Sequence, residues 1–382
     1  MLALLFLLVL HVPNGGSIQA ALDSARTVYA ARGEQTTIYI SPGTYTEQLT
    51  IDIPGLRLIN AAPEPSIALT RQGRDCDPNA VRITWYYGHG YQYRSMGDTP
   101  NYGGSRTRRW NATVLVTAPD FYAENIIFEN SFNLYVSERE AADSLTVIDK
   151  MPIRPKQVGS TEVQQRLYRE RAAAISFTET AKHAHLTNCR AVGRQDVLYG
   201  DQGASVYWKG GILQGGVDFI FGGLTLAVEQ ATIVANINGE KDDRCYISAG
   251  RSGGDQEPLT NNLSSLTPPR GLLFYRCHIR LATDDELQIL NPKSEIRNAT
   301  PQVWFARPWR WWGETVWAYT TWDEGILVPE AWSTGLTKGQ ACPNSYEYCS
   351  QDHSAGRPEW VTILQRPVLP DGQRLIPTEW IK

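Results

Sequence analysis

Two aspartates stand in a repeated setting. Asp196 lies eight residues after Asn188 and Asp218 eight residues after Gly210, and the two markers are 22 residues apart. If the chain coils with that period, the aspartates occupy the same phase of consecutive coils, ~4.7–4.9 Å apart at the backbone. Two carboxyls that close do not both ionise readily, so one pKa should rise. The pair then divides labour between an ionised nucleophile or base and a protonated acid. A pair of turn-capping aspartates is the alternative, and for either residue alone it would be the better one. Gln195 precedes Asp196, and its amide can donate to a developing oxyanion if the turn presents both to a cleft. Further on, Phe305-Ala306-Arg307-Pro308-Trp309 offers an arginine held extended by the following proline. Such a guanidinium can fork onto a carboxylate and keep it ionised, and Trp309 offers a flat face for a sugar ring.

Other catalytic vocabularies are missing. There is no GxSxG, HExxH, P-loop or GxGxxG. His183 and His185 would share a strand face, with no third ligand to make a metal site.

The elements that must position the aspartates form a repeat. Ala184–Cys189, Val206–Gly211, Leu226–Ala231 and Leu273–Cys277 each read as a short apolar strand running into a polar or small residue. Aligning Asn188, Gly210, Gln230 and Arg276 gives steps of 22, 20 and 46, the last read as two turns of 23. Phe121–Ile126 is an earlier copy and Thr315–Tyr319 a later one. A 20–23 residue period of strand composition without a helix per repeat predicts a parallel β-solenoid, an all-β fold. A β-sandwich is the structural alternative, because short strands alone do not exclude it. The catalytic solenoid is expected over residues 14–336, opening with a short helix signal near Ser17–Leu22. Two excursions, about 71–110 and 131–171, break the rhythm and should wall a cleft. A charged stretch, Thr161 to Arg171, reads as a short helix, and residues 337–382 as a tail packed on the outside. Residues 1–13 are apolar, too short to span a bilayer, and fit either a leader remnant or a first strand.

Composition bounds the function. The 382 residues carry 36 basic and 40 acidic side chains, a net charge of −4, so no basic field attracts nucleic acid; Arg106–Arg109 is too short to change that. The 12 Trp, 18 Tyr and 9 Phe exceed what a sugar-stacking role alone would need, and a filled core accounts for most of them. Six cysteines show no zinc spacing; Cys342 and Cys349 are close enough to bridge a loop, and Cys245 and Cys277 are expected on neighbouring strands.

These motifs together resemble the pectinesterase (pectin methylesterase) family. Gln195–Tyr199 is similar to its QDTLY motif with Val197 for Thr, Asp218–Gly222 matches DFIFG in full, and Phe305–Trp309 is similar to LGRPW. Gly43–Glu47 matches an early GxYxE turn, and Asn111–Thr113 and Ala123–Asn125 resemble NSAT and AEN. The resemblance covers about Asn14 to Trp332, and the long insertions look closer to the bacterial outer-membrane-type branch. It implies a right-handed parallel β-helix that hydrolyses galacturonate methyl esters of pectin, acting as a secreted or cell-envelope monomer without cofactor or metal. It assigns Asp218 as nucleophile, Asp196 as acid and base, Gln195 as oxyanion donor and Arg307 as the partner of Asp218. Substrate contact falls to Trp309, Phe219, Tyr199 and Arg171. One departure stands out: Arg171 occupies the place of the Gln in the family's QAVAL motif, which supplies a second oxyanion donor. Two rivals remain: a pectin lyase or glycosidase, for which Asp242-Asp243 hints at a metal, and a carbohydrate-binding solenoid without catalysis.

Overall fold

The computed structural model describes residues 7–71, 73–97, 112–147, 152–164, 171–237, 244–251, 270–286, 302–309, 313–333, 344–351 and 356–382. Three parallel sheets, of eleven, eight and seven strands, run side by side along its length. Each coil gives one strand to each sheet. Ala184–Thr187, Arg190–Val192 and Leu198–Gly200 make one coil; Ser205–Lys209, Ile212–Gly215 and Val217–Gly222 make the next. The fold is the expected parallel β-helix.

The repeat markers are the corners of the coil. Asn125, Asn188, Gly210, Gln230, Arg276 and Tyr319 all have φ between 46° and 64°. Each donates its backbone N–H to a carbonyl of the following coil, at 2.8–3.1 Å. The left-handed conformation is costly for a residue with a Cβ, and the corner ladder holds it in place. The step from Gln230 to Arg276 corrects the period: the Gln230 N–H bonds to the Tyr275 carbonyl, so the two corners lie on adjacent coils. The 46 residues are one enlarged coil, its extra length inserted around Arg244–Gly250, and not two turns of 23.

Inward side chains fill a continuous apolar core. Trp317 lies between Phe274 and Phe305, with centroids 3.9 and 4.5 Å away. The helix Ile18–Arg32 closes the first end with Ile18, Leu22 and Ala25 buried. Glu47, from the GxYxE turn, accepts from the Ile18 and Gln19 N–H groups at 2.9 and 3.0 Å, a carboxylate on the positive end of the helix. Leu7–Val12 forms a strand parallel to Gln35–Ile40.

Four expectations need correction. Val81–Trp85 is a strand of the eight-stranded sheet, so the first excursion is interrupted by a rung, with the antiparallel pair Leu69–Thr70 and Asp75–Cys76 before it and the Tyr-rich loop after it. The excursions also pair with each other, Tyr91–Tyr93 running antiparallel to Leu145–Val147. The tail starts later than expected: Ser345–Tyr348 and Val361–Ile363 still extend the eleven-stranded sheet, and only the last turns, with Leu369, Leu375 and Trp380, cover its outer face. Of the stretch Thr161 to Arg171, Glu162–Gln164 is a 3-10 turn and residues 165–170 lie outside the described residues. Cys245 sits in the seven-stranded sheet and Cys277 at a corner after a strand of the eleven-stranded one, so they are not on neighbouring strands. Cys342, Arg106–Arg109, Asp242–Asp243 and Asn111 lie outside the described residues. Among the described residues no helix is long and apolar enough to cross a membrane.

Candidate active site

The aspartate pair is set by register. Leu198–Gly200 pairs with Val217–Gly222 with Leu198 opposite Ile220, and Gln195 bridges Val217 in the same register, so Asp196, just before its strand, and Asp218 fall in line. The Asp196 N–H donates to the Val217 carbonyl at 3.2 Å. Both aspartates have positive φ, 61° and 47°, which Asp tolerates better than most residues. At Asp218 the pairing with Arg244–Gly250 slips between Val217 and Ile220. Such an irregularity re-aims side chains: Asp218 meets polar partners while Phe219 and Ile220 both enter the core. Phe219 is 1% exposed and therefore does not face a substrate, which corrects its expected role. Its Cβ packs where a Cβ on Gly215 would fall, at 2.3 Å, so that glycine admits it.

Arg307 forks onto Asp218, with Nε to Oδ1 and Nη2 to Oδ2 both 2.6 Å. Its own N–H bonds to the Ser248 carbonyl, and its guanidinium lies 4.2 Å from the centroid of Tyr246, which stacks on Trp304. Arg171 approaches the other carboxylate, Nε lying 3.8 Å from Asp196 Oδ2. Its Nη2 is 3.2 Å from His89 Nε2. Burial pushes both aspartates up. For Asp196 the neighbouring Asp218 charge adds to this, the Arg171 and Arg307 cations oppose it, and the group ends well above the usual carboxylate range. For Asp218 burial is opposed chiefly by the Arg307 fork, and the displacement is smaller. Asp196 thus holds its proton to higher pH than Asp218. A protonated acid beside a carboxylate kept ionised by a guanidinium can carry out nucleophilic attack followed by proton donation.

Gln195 pairs with Val217 and is 8% exposed, one residue from Asp196 on the same rung. Tyr199 and Trp309 flank Phe221, whose centroid is 4.6 Å from the first ring and 5.6 Å from the second. Tyr199 also donates to Asp201 at 2.7 Å, and Arg251 lies 5.1 Å from the Trp309 centroid. The aromatic strip therefore passes through Phe221, two residues beyond the Phe219 chosen from sequence. His89, Tyr246 and Arg251 were missed as well. Strand alternation could have found Phe221 from the outward Tyr199 opposite it; nothing in spacing singles out the other three. Among the described residues, no three His, Cys, Asp or Glu side chains converge to hold a metal ion.

Residues 163–351, which include both aspartates and Arg307, match the family model described as Pectinesterase. Over that stretch the chain carries a pectinesterase-family domain. It is 24% identical over 320 residues to probable pectinesterase 8 of Arabidopsis thaliana, covering 84% of this chain and 60% of that relative, so it spans less than two thirds of that protein's length. Pectinesterase 31 of the same plant is 26% identical over 339 residues, 87% of this chain and 77% of that one. The pectin methylesterase from carrot superposes with a TM-score of 0.61 at 17% identity, over 97% of this chain and 92% of that chain, and so shares the fold.

Proposed function

We propose that the protein hydrolyses methyl esters of galacturonate in pectin and releases methanol. The observation that carries this reading is the stacked aspartate pair with one member forked by Arg307. An Asp218 carboxylate oxygen attacks the ester carbonyl carbon, and the carbonyl electrons move onto oxygen. The Gln195 amide and the Arg171 guanidinium support that oxyanion. Collapse breaks the bond to methoxide, which takes the Asp196 proton and leaves as methanol. Asp218 is then joined to the galacturonyl group as an anhydride. Asp196, now a carboxylate, removes a proton from water as its oxygen attacks the galacturonyl carbon. The second collapse frees Asp218, leaves Asp196 protonated and yields galacturonic acid, which releases a proton to solvent. Tyr199 and Trp309, both half-buried, offer ring faces to the sugars on either side, with the buried Phe221 ring packed between them. This activity places the protein where pectin is met, outside the cell or in its envelope.

Methanol release from highly methyl-esterified pectin by the wild type and by Asp218→Ala tests the reading. The wild type should release methanol, and the variant should lose on the order of 10³-fold or more, as when a nucleophile is removed. An unsaturated sugar product instead of methanol would indicate a lyase. Pectin binding without turnover by the wild type would indicate a carbohydrate-binding solenoid.

A further inference from the structure

His89 belongs to the first excursion, outside the motifs that carry the family resemblance, yet it touches the candidate site. The loop that delivers it follows the strand Val81–Trp85 and is braced at several points. Trp85, Tyr86, Tyr87, Tyr91, Tyr93 and Phe132 form a separate apolar cluster beside the solenoid. Asn130 Nδ2 donates to the Tyr87 carbonyl at 3.0 Å and to the Ala173 carbonyl at 3.1 Å, tying the loop to the rung that begins at Arg171. Gly88 lies flat on Phe132, so close that a Cβ would fall 2.2 Å from the ring. The same ring carries the Arg154 guanidinium at 3.9 Å, itself paired with Glu140 at 2.6 Å. The next residue, His89, is 9% exposed and meets Arg171 twice. Its N–H donates to the Arg171 carbonyl at 2.9 Å, and its Nε2 faces Arg171 Nη2 at 3.2 Å.

A guanidinium has no lone pair to offer, so at that contact the imidazole must be the acceptor. His89 is then neutral, with its proton on Nδ1. An arginine side chain is long and rotatable, and one carboxylate at 3.8 Å does not fix it. The imidazole holds the far end of the guanidinium while its Nε side faces Asp196. We infer that His89 is a positioning residue, a neutral acceptor on the first excursion that aims the Arg171 guanidinium at Asp196 and at the reacting carbonyl. The inference rests on the proposed esterase reading for its effect on rate, though the contact itself can be tested without turnover.

Four enzyme variants, His89→Phe, His89→Gln, Arg171→Gln and the double variant His89→Phe/Arg171→Gln, and one spectrum decide it. His89→Phe keeps a ring and removes the acceptor; it should lower kcat for methanol release roughly tenfold, with KM within about twofold. His89→Gln, whose amide oxygen can accept, should keep most of the activity. In an Arg171→Gln background His89→Phe should cost no further rate, because nothing remains to aim. The ¹⁵N spectrum of the full-length protein, with the His89 signals assigned by their loss in His89→Gln, should show a neutral ring protonated at Nδ1. Wild-type kcat in a folded His89→Phe, or an equal loss with and without Arg171, would overturn the inference. So would a His89 proton on Nε2, which remains decisive if His89→Phe does not fold. If the wild type released no methanol, the esterase reading would fall while the spectrum still decided the His89 contact.

Discussion

Replacing Arg307 by lysine is the sharpest test of the charge arrangement. The guanidinium makes two parallel bonds to Asp218, both 2.6 Å, in a site where the carboxylate is only 6% exposed. Lysine keeps the positive charge but is a point donor, so one of the two bonds is lost. A hydrogen bond to a charged group contributes about 1.5–3 kcal/mol. At about 1.4 kcal/mol per pKa unit, losing it should raise the Asp218 pKa by roughly one to two units. Burial already pushes that group up, so the shift moves it further toward the working pH. On the acid side of the optimum the fraction ionised, and with it kcat/KM, should fall about 10–100-fold. The sign of the pH dependence separates this from general damage. Raising the pH should restore much of the rate, because it ionises Asp218, until Asp196 loses the proton it must donate. Methanol release measured across pH for both proteins, with folding checked by circular dichroism, gives the comparison. An unchanged acid limb with wild-type turnover in Arg307→Lys would show that the guanidinium only packs against Tyr246, and the reasoning would fail.

Asp196→Asn should reduce methanol release by ~10²–10⁴-fold, the usual scale for a lost acid–base group. It should also stabilise the fold above neutrality. The folded-state pKa of Asp196 is raised well above its unfolded value, so ionising it in the fold costs stability that grows as pH rises through that range. The denaturation midpoint of the variant should therefore exceed wild type at pH 8 and converge with it near pH 3; equal midpoints at both pH values would contradict the burial assigned to this carboxyl. Gly88→Ala should destabilise by about 1–3 kcal/mol, since the added methyl collides with Phe132 and cannot be absorbed by a flexible side chain. A denaturant midpoint equal to wild type would mean that the loop is not seated on that ring.

The periodic part of the protein was legible because a solenoid repeats a local solution. Asn188, Gly210, Gln230 and Arg276 could be aligned by eye, and they share a left-handed corner whose N–H bonds to the next coil. Asp196 and Asp218 inherit their juxtaposition from the same regularity, since a fixed offset within consecutive coils becomes a contact between neighbouring strands. The arginine before proline was readable too, although its partner is 89 residues away. What periodicity does not encode, the tertiary structure decided. The slip in register beside Asp218 sent Phe219 into the core and left the outward stack to Phe221, a reversal of faces that one irregular step is enough to cause. The 46-residue coil kept its corners in line while absorbing extra chain, because pairing constrains strands and leaves the length between them free. The contact of His89 with Arg171 joins residues 82 apart, one on an excursion and one on a rung. Its geometry comes from aromatic packing, a glycine pressed on a ring and a buried ion pair, none of which has a period to read.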